Sequence, residues 1–277
     1  MKEILWLVIN RASGSNSDKA VQDVVTALAG AGTAPAQVVD VAEELPGRAA
    51  LEQGGVSRLA VFAGDGTVNA VATAIEGWPG ALLVLPGGTA NLLARALHGE
   101  RDAPAIAAGA GQLGVCRRPC IRGATFTALV EVLAGPGATW SDVREELREG
   151  GVGGLAGAAV SAIRQSTTGP MVALADPPLG RVDGYAGIRL EVAEPGMKVE
   201  GYGAETVGDY LKQGIALLRR NFRDGPHDDL GRHAEITCRS LEDRPMPLMI
   251  DGERREAGPA PRFSLAPLAL DLLVSRP

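Results

Sequence analysis

Up to about Gly114, apolar runs that fit buried strands alternate with stretches whose apolar residues recur at helical spacing. Ile4–Ile9 is a continuous apolar run that ends at Asn10, as expected of a strand buried on both faces. From Ser17 to Ala31 the apolar residues recur every three or four positions, which is typical of an amphipathic helix. Repeated alternation of this kind predicts a parallel sheet with helices on both faces. The predicted strands are Ile4–Ile9, Ala36–Val41, Arg58–Ala63 and Ala81–Leu85, and the predicted helices are Ser17–Ala31, Glu43–Gln53, Thr67–Ile75 and Thr89–Leu97.

After Gly114 the pattern changes, because strand-like runs follow one another with only turns between them. We therefore predict an α/β fold with two domains. The first is a three-layer α/β/α domain of residues 1–114, which residues 265–277 could complete through Leu268–Val274. The second is a β-rich, sandwich-like domain of residues 115–264. Its predicted strands are Val115–Arg122, Thr125–Leu133, Met171–Ala175, Ile188–Val192, Glu235–Arg239 and Met246–Ile250, and its predicted helices are Ser141–Arg148, Leu155–Arg164 and Thr206–Phe222.

Composition and charge narrow the class of partners. With 45% apolar and 22% charged residues the chain has the composition of a globular protein. A formal net charge of −6 argues against a nucleic-acid partner, because phosphate binding favours a basic face. The three cysteines fit no zinc-ligand spacing and indicate free thiols in a reducing, cytoplasmic compartment. No apolar stretch reaches about 18 residues, so any membrane contact is predicted to be peripheral, at the inner face of the membrane.

Three glycine-rich segments each follow a predicted strand and precede a predicted helix: Asn10–Gly14, Ala63–Asn69 and Leu85–Asn91. Because the strands are parallel, all three segments are predicted to lie at one edge of the sheet. Glycine lets backbone N–H groups approach a phosphate closely, and the helix N-terminus behind each segment adds a favourable dipole. Thr67 and Thr89 occupy predicted N-cap positions and could also bond a phosphate oxygen. One such turn is ordinary, but three on one edge predict a phosphate site. The chain contains no G-x-x-x-x-G-K-[ST] sequence, which argues against a P-loop.

These segments resemble the signature sequences of the diacylglycerol kinase catalytic superfamily, which includes bacterial lipid kinases and sphingosine kinases, with NAD kinases as a more distant branch. GDGTVNAVATAI at Gly64–Ile75 is similar to the central loop, and LPGGTANLLARAL at Leu85–Leu97 to the second glycine loop. Asn10–Gly14 is similar to the first loop, and IDGE at Ile250–Glu253 resembles a late Asp-Gly-Glu motif. The pairing of the GDGT loop with the late motif favours the lipid-kinase branch.

The resemblance implies a phosphotransferase that uses ATP and Mg²⁺, with the nucleotide in a cleft between the two domains. The implied acceptor is the hydroxyl of a diacylglycerol, a sphingoid base or a related lipid alcohol. Glu253 is the implied proton acceptor, with Asp65 as the alternative base or a magnesium ligand, and Asp183 resembles a ligand of a structural magnesium. The residues implied to contact the nucleotide are Asn10, Ser13, Gly14, Gly64, Gly66, Thr67, Asn69, Gly87, Gly88, Thr89 and Asn91.

Two positions depart from the family pattern. Leu92 stands where many bacterial members have aspartate, which could change the choice of acceptor, and Arg11 replaces a usual proline. The Arg11 side chain could contact a phosphate or face solvent. Two alternatives to a lipid kinase therefore stay open, an NAD kinase-like enzyme and a catalytically degraded nucleotide-binding regulator. Further expectations are transient peripheral membrane contact and a homodimer, which edge strands of the β-rich domain could form.

Overall fold

The computed structural model describes residues 3–11, 17–139, 171–203 and 227–275. The chain divides into two compact units, of which the first comprises Met1–Cys120 and Pro267–Pro277 and the second comprises Ile121–Ala266. The first unit runs past the boundary predicted after Gly114, because Gly114–Cys116 forms a strand of its sheet.

In its described residues, the first unit contains a six-stranded sheet and five α-helices. Its strands are β1 (Leu5–Ile9), β2 (Gln37–Asp40), β3 (Arg58–Ala63), β4 (Ala81–Pro86), β5 (Gly114–Cys116) and β17 (Asp271–Val274). Its helices are α1 (Asp18–Gly30), α2 (Arg48–Gln53), α3 (Asp65–Ala74), α4 (Leu92–His98) and α5 (Ala103–Ala108). The strand order is β2-β1-β3-β4-β17-β5, in which only β5 runs antiparallel to its neighbour. The predicted return of Leu268–Val274 to this sheet is confirmed, since β17 pairs in parallel with β4.

Helices cover both faces of this sheet. Leu7 of β1 packs in one apolar cluster with Val24 of α1 and Ile106 of α5. Val8 and Val61 point to the opposite face and are also fully buried. Helices α3 and α4 contact β3 and β4 and contribute to the burial of that second face. Burial on both faces explains the continuous apolar runs of the strands, and the predicted three-layer α/β/α architecture is confirmed.

The predicted starts of helices α3 and α4 were wrong, and so was the assignment of Thr67 and Thr89 to their N-cap positions. Helix α3 begins earlier than predicted, so its N-cap is Gly64 and Thr67 lies in its first turn. Helix α4 begins later than predicted, so its N-cap is Asn91 and Thr89 lies in the preceding loop. Neither threonine is therefore an N-cap. The glycine-rich stretches carry no apolar periodicity, so the sequence pattern did not locate these starts.

Helix α2 is also shorter than the predicted Glu43–Gln53. Its N-cap is Gly47, directly after Pro46. A proline disfavours the helical conformation in the residue before it, which places the start of α2 after Pro46. Helix α5 was not predicted.

The second unit is built, in its described residues, from two antiparallel sheets. The strands are β6 (Pro119–Arg122), β7 (Thr127–Ala128), β8 (Glu131–Ala134), β9 (Val172–Asp176), β10 (Gly187–Glu191), β11 (Met197–Tyr202), β12 (Asp228–His233), β13 (Glu235–Ser240), β14 (Met246–Ile250), β15 (Glu253–Ala257) and β16 (Arg262–Pro267). One sheet has the strand order β12-β11-β10-β8-β14-β15 and the other β7-β6-β16-β13-β9.

The two sheets of the second unit share one apolar core. Val132, Leu190 and Leu248 from the six-stranded sheet lie in the same buried cluster as Ile236 and Phe263 from the five-stranded sheet. A core filled from the facing sides of two sheets is a β-sandwich, so the predicted sandwich-like architecture is confirmed.

Several boundaries in the second half of the chain differ from the prediction. Val115–Arg122 is divided between β5 and β6, and Thr125–Leu133 between β7 and β8, and in both cases the two parts belong to different sheets. Strands β11, β12, β15 and β16 were not predicted. The predicted helices Ser141–Arg148, Leu155–Arg164 and Thr206–Phe222 lie outside the described residues.

Two further expectations concern the state of the cysteines and the presence of a membrane-spanning helix. All three cysteines are free thiols, as predicted. Within the described ranges, no helix combines the length and the hydropathy that crossing a bilayer requires.

Candidate functional site

Three strand ends of the first unit meet at the carboxyl edge of its sheet. Strands β1, β3 and β4 are adjacent and parallel, so the chain leaves all three on the same edge. Asn10 follows β1, Gly64 follows β3 and Gly87 follows β4. The Asn10 side-chain amide donates a hydrogen bond to the Thr67 hydroxyl over 3.0 Å. This bond ties the first glycine-rich segment to the first turn of α3.

The second and third segments touch each other through two glycines. A Cβ atom placed on Gly88 would lie 2.5 Å from the Cα atom of Gly64 and 3.4 Å from its backbone nitrogen. A side chain at position 88 would therefore push the two segments apart. The backbone N–H of Gly87 also donates to the Ala63 carbonyl over 3.2 Å, which continues the pairing of β3 with β4. The two segments together form one closely packed backbone surface.

Asn91 closes the loop that precedes α4. Its φ of 51° is in the left-handed region, which asparagine tolerates better than most residues. Its side-chain oxygen accepts from the Gly88 N–H at 2.8 Å, and its side-chain amide donates to the Gly88 carbonyl at 2.8 Å. Both polar groups of Asn91 thus hold the loop rather than cap the helix, and Thr89 is exposed on that loop.

Asp65 links the two helices of the site. Its Oδ1 atom accepts a hydrogen bond of 2.6 Å from the backbone N–H of Leu92, the first residue of α4. Asp65 therefore supplies the acceptor that the N-cap Asn91 does not, and its negative charge lies at a favourable helix N-terminus. The sequence predicted Asp65 as a base or a magnesium ligand and missed this role. The Leu92 side chain, at the position where many family members carry aspartate, is buried.

The Arg11 side chain is exposed to solvent, which is one of the two arrangements considered from the sequence, and it also lies beside two carboxylates. Its guanidinium lies 3.4 Å from the Asp18 carboxylate and 3.7 Å from the Asp40 carboxylate. Asp40 ends the edge strand β2 and also accepts from the Ala42 N–H over 3.1 Å. The Arg11 charge is thus directed at two carboxylates of the same unit.

The described part of the first unit joins most of the predicted nucleotide contacts into one network. Asn69 lies half-buried on α3, where its side-chain oxygen is 3.5 Å from the Thr73 hydroxyl. Ser13 and Gly14 lie outside the described residues. The predicted residues that the network brings together are Asn10, Gly64, Asp65, Thr67, Gly87, Gly88 and Asn91.

In the second unit, the Asp-Gly-Glu motif forms a tight hairpin. Strands β14 and β15 pair up to Ile250 opposite Glu253, which leaves Asp251 and Gly252 as a two-residue turn. Their φ angles of 47° and 90° are both positive, as in a type I′ turn, for which Asp-Gly is a favoured sequence. Glu253 begins β15 with an exposed side chain, and its carboxylate forms no hydrogen bond or ion pair with any described residue.

The Asp251 carboxylate is buried, which the sequence did not predict. It is 3% exposed and accepts three backbone N–H groups, from Leu129 at 2.6 Å, Val130 at 2.9 Å and Glu131 at 3.0 Å. The Asp251 N–H donates in turn to the Glu131 carbonyl over 3.0 Å. Four hydrogen bonds therefore join the hairpin turn to the start of β8.

A second buried set of charges lies on the six-stranded sheet of the sandwich. Arg189 of β10 contacts Glu131 at 2.9 Å, Glu200 at 3.0 Å and Glu191 at 3.2 Å. Burial opposes the positive charge, but the carboxylates of Glu131 and Glu191 raise the pKa of Arg189 above its ordinary value. The pKa of Glu200 is lowered, because hydrogen bonds from Lys198 and Arg189 outweigh the opposing effect of burial. The ion pairs thus compensate for burial of these charges.

Asp183 lies exposed in a turn of the second unit. Within the described ranges, no group of three or more His, Cys, Asp or Glu side chains is placed to hold a metal ion. The role of Asp183 stays a prediction.

Comparison with known proteins gives a family match and a fold match. Residues 4–114 match the model of the diacylglycerol kinase catalytic domain. A search of curated proteins found no match. A solved structure of a diacylglycerol kinase from Bacillus anthracis strain Sterne has a TM-score of 0.65 and 16% identity, over 99% of this chain and 97% of that chain. Two further structures from the same strain are each 14% identical and cover 99% of this chain. One has a TM-score of 0.67 and is covered over 96% of its own chain, and the other has a TM-score of 0.64 and is covered over 97%.

At these identities the structural likeness shows the fold, and the family match covers the part of the chain that contains all three glycine-rich segments. The resemblance drawn from those segments is therefore confirmed. Over residues 4–114 the chain matches the diacylglycerol kinase catalytic domain, and over nearly its whole length it has the fold of a bacterial diacylglycerol kinase structure.

Proposed function

We propose that this protein transfers the terminal phosphate of ATP to the hydroxyl group of a lipid alcohol. The observation that carries the proposal is the contact between Gly64 and Gly88, at the start of α3, within the region that matches a diacylglycerol kinase catalytic domain. Because both residues are glycine, the backbones of the two segments approach each other closely there. Glycine-rich backbone at a strand-to-helix turn suits the close approach of phosphate groups.

The phosphate groups of ATP would lie at the N-terminus of α3. The first N–H groups of an α-helix have no acceptor within the helix, and its dipole favours negative charge at that end. In α3 the first helical hydrogen bond runs from the Val68 N–H to the Gly64 carbonyl, and Gly64 has no side chain to cap the turn. The linked side chains of Asn10 and Thr67 lie beside this turn and supply further polar contacts.

Mg²⁺ is the proposed metal, because it neutralises charge on the phosphate oxygens when it is bound with the nucleotide. Phosphate oxygens and water commonly supply most ligands of such an ion, with one or two carboxylates from the protein. The absence of a three-ligand cluster from the described residues fits that kind of binding. The proposed protein ligands are Asp65, with the nucleotide, and Asp183, at a separate structural position.

Glu253 is the proposed base. An alcohol is a weak nucleophile until a positioned group takes up its proton, which typically contributes about 10²- to 10⁴-fold to the rate. The Glu253 carboxylate is exposed, forms no hydrogen bond or ion pair within the described residues, and is adjacent to a tight two-residue turn. Asp65 is a poorer candidate, because its Oδ1 atom is already bound to the N–H of Leu92.

A lipid acceptor requires access to a membrane, so we also propose transient peripheral contact with its inner face. Val182 and Leu179 of the second unit are exposed apolar side chains that suit such contact. The cytoplasmic location and the homodimer stay predictions.

The direct test is transfer of labelled phosphate from ATP to a panel of lipid alcohols in mixed micelles, with and without Mg²⁺. The panel contains a diacylglycerol, a monoacylglycerol and a sphingoid base, and NAD is assayed in parallel. We expect label in at least one lipid class, dependent on Mg²⁺, and none in NAD. ATP binding without transfer to any lipid would favour a nucleotide-binding regulator, and formation of NADP would favour the NAD kinase-like alternative.

A further inference from the structure

We infer that Asp251 is a positioning residue, whose buried carboxylate holds the Glu253 carboxylate in place. The inference rests on the proposed role of Glu253 as the base. It is based on the three backbone N–H groups that donate hydrogen bonds to the Asp251 carboxylate, and on the tight turn that joins Asp251 to Glu253.

The contacts of Asp251 require a group with two acceptor oxygens. Oδ2 accepts from Leu129, whereas Oδ1 accepts from both Val130 and Glu131. An ionised carboxylate has acceptor capacity on both oxygens, but an asparagine side chain has an oxygen on one side and an NH₂ donor on the other. In either orientation of an asparagine, a donor would face at least one backbone N–H. The three backbone contacts therefore require aspartate at position 251, in addition to the preference of a type I′ turn for Asp-Gly.

Because the turn is only two residues long, the attachment of Asp251 also constrains the position of Glu253. Only Gly252 lies between the two acidic residues, and the ladder resumes with Ile250 opposite Glu253. Ile250 also pairs with Val132 of β8, the strand whose beginning holds the Asp251 carboxylate. The N-terminal side of the turn is therefore attached to β8 through Ile250 and through Asp251. Glu253 is held in turn by its pairing with Ile250, so the direction of the first residue of β15 follows from that attachment.

Asp251 acts through this attachment and not as an acid or base. Its side chain is 3% exposed and both of its oxygens are engaged by backbone donors. Glu253, two residues later, has an exposed side chain. One carboxylate of the motif thus fixes the backbone, and the other is accessible to a substrate.

The first experiment compares kcat, the KM for ATP and the pH–rate profile of wild type and Asp251→Asn. A displacement of a catalytic group by about 1 Å can lower turnover by about 10²-fold, so we expect a loss of kcat of that order. The KM for ATP should change less than about twofold, a range small compared with the expected effect on kcat. The limb of the pH–rate profile that reports the base should remain, because Asp251 is not the titrating group. Asp243→Asn is the matched control, since Asp243 is also an acidic turn residue with positive φ but is exposed, and it should retain wild-type kcat.

The second experiment is a double-mutant cycle with Glu253→Gln. Because Asp251 is inferred to act only through Glu253, the double variant should be no slower than Glu253→Gln alone. A further loss in the double variant, or a wild-type kcat in folded Asp251→Asn, would overturn the inference. If Glu253→Gln itself keeps wild-type turnover, the proposed function of Glu253 is wrong, and that result is distinct from a failure of the Asp251 inference.

A third variant keeps the test decisive if Asp251→Asn does not fold. Asp251→Glu retains the charge and both acceptor oxygens but lengthens the side chain by one methylene group, so it shifts the turn relative to Leu129–Glu131. We expect a lower kcat with an unchanged KM for ATP in this variant. Wild-type kcat in folded Asp251→Glu would contradict a positioning role.

Discussion

The residues that shape the candidate site are placed by contacts of two kinds, backbone close approach and single hydrogen bonds. Gly64 and Gly88 illustrate the first kind, and Asp65 with the Leu92 N–H illustrates the second. The sequence located the glycines correctly, because a glycine directly after a buried strand predicts a turn at the sheet edge. It could not show that Asp65 binds the start of α4, because that contact depends on how two separate loops pack.

At this scale the sharpest prediction concerns Gly88→Ala. The new Cβ atom would lie 2.5 Å from the Gly64 Cα atom, so the two glycine-rich segments must separate. We expect the affinity for ATP to fall by more than about tenfold, which corresponds to about 1.4 kcal/mol of binding free energy. Isothermal titration calorimetry measures this affinity, and the thermal unfolding midpoint should fall as well.

Gly30→Ala is the control for Gly88→Ala. Gly30 is the last residue of α1, and a Cβ atom there meets nothing within 4 Å. Since alanine is favoured over glycine in a helix by up to about 1 kcal/mol, Gly30→Ala should leave ATP binding unchanged and stability equal or slightly higher. Unchanged ATP affinity in folded Gly88→Ala would show that the contact between the glycines does not shape the site.

Among the elements, the strands that are continuous apolar runs were predicted well, whereas β15, whose sequence is mostly charged, was missed. Strands β3 and β14 have the bounds expected or nearly so, because they are continuous apolar runs. Strand β15 reads Glu-Arg-Arg-Glu-Ala, and its pairing is determined by the type I′ turn before it and not by an apolar face. Burial of Glu200 on β11 and most of Arg189 on β10 could not be predicted from the sequence, because Arg189 contacts Glu131 and Glu200 on neighbouring strands.

The element-scale prediction is that Arg189 stabilises the six-stranded sheet of the sandwich. Its side chain is 13% exposed and contacts carboxylates on β8, β10 and β11. Removing one partner of a buried ion pair leaves an uncompensated charge, which typically costs about 3–5 kcal/mol. We expect Arg189→Ala to lower the free energy of unfolding of the second unit by about 3 kcal/mol, at the lower end of that range, as measured by urea denaturation.

Arg262→Ala is the matched control for Arg189→Ala. Arg262 also forms an ion pair in the second unit, with Glu235, but its side chain is 69% exposed. Exposed ion pairs contribute about 0–1 kcal/mol, so this variant should be close to wild type. Equal effects of the two substitutions would contradict a special role for the buried cluster.

For the whole molecule, the alternation of strand and helix patterns was enough to predict an α/β unit followed by a β-rich unit. The junction was less well predicted, because Gly114–Cys116 pairs with the distant β17 and thereby belongs to the first sheet. Likewise, the Asp-Gly-Glu motif was identified from the sequence, but the burial of Asp251 depends on Leu129–Glu131, far away in the chain. The local sequence indicates neither of these two long-range contacts.

The central claim is that ATP binds at the glycine-rich segments of the first unit while Glu253 takes up the proton of a lipid alcohol. Its most direct test is to measure ATP affinity and single-turnover phosphate transfer on the same samples of wild type and Glu253→Gln. The account predicts unchanged ATP affinity and a rate of transfer lowered by about 10²- to 10⁴-fold in Glu253→Gln. Wild-type transfer rates in Glu253→Gln would contradict the account.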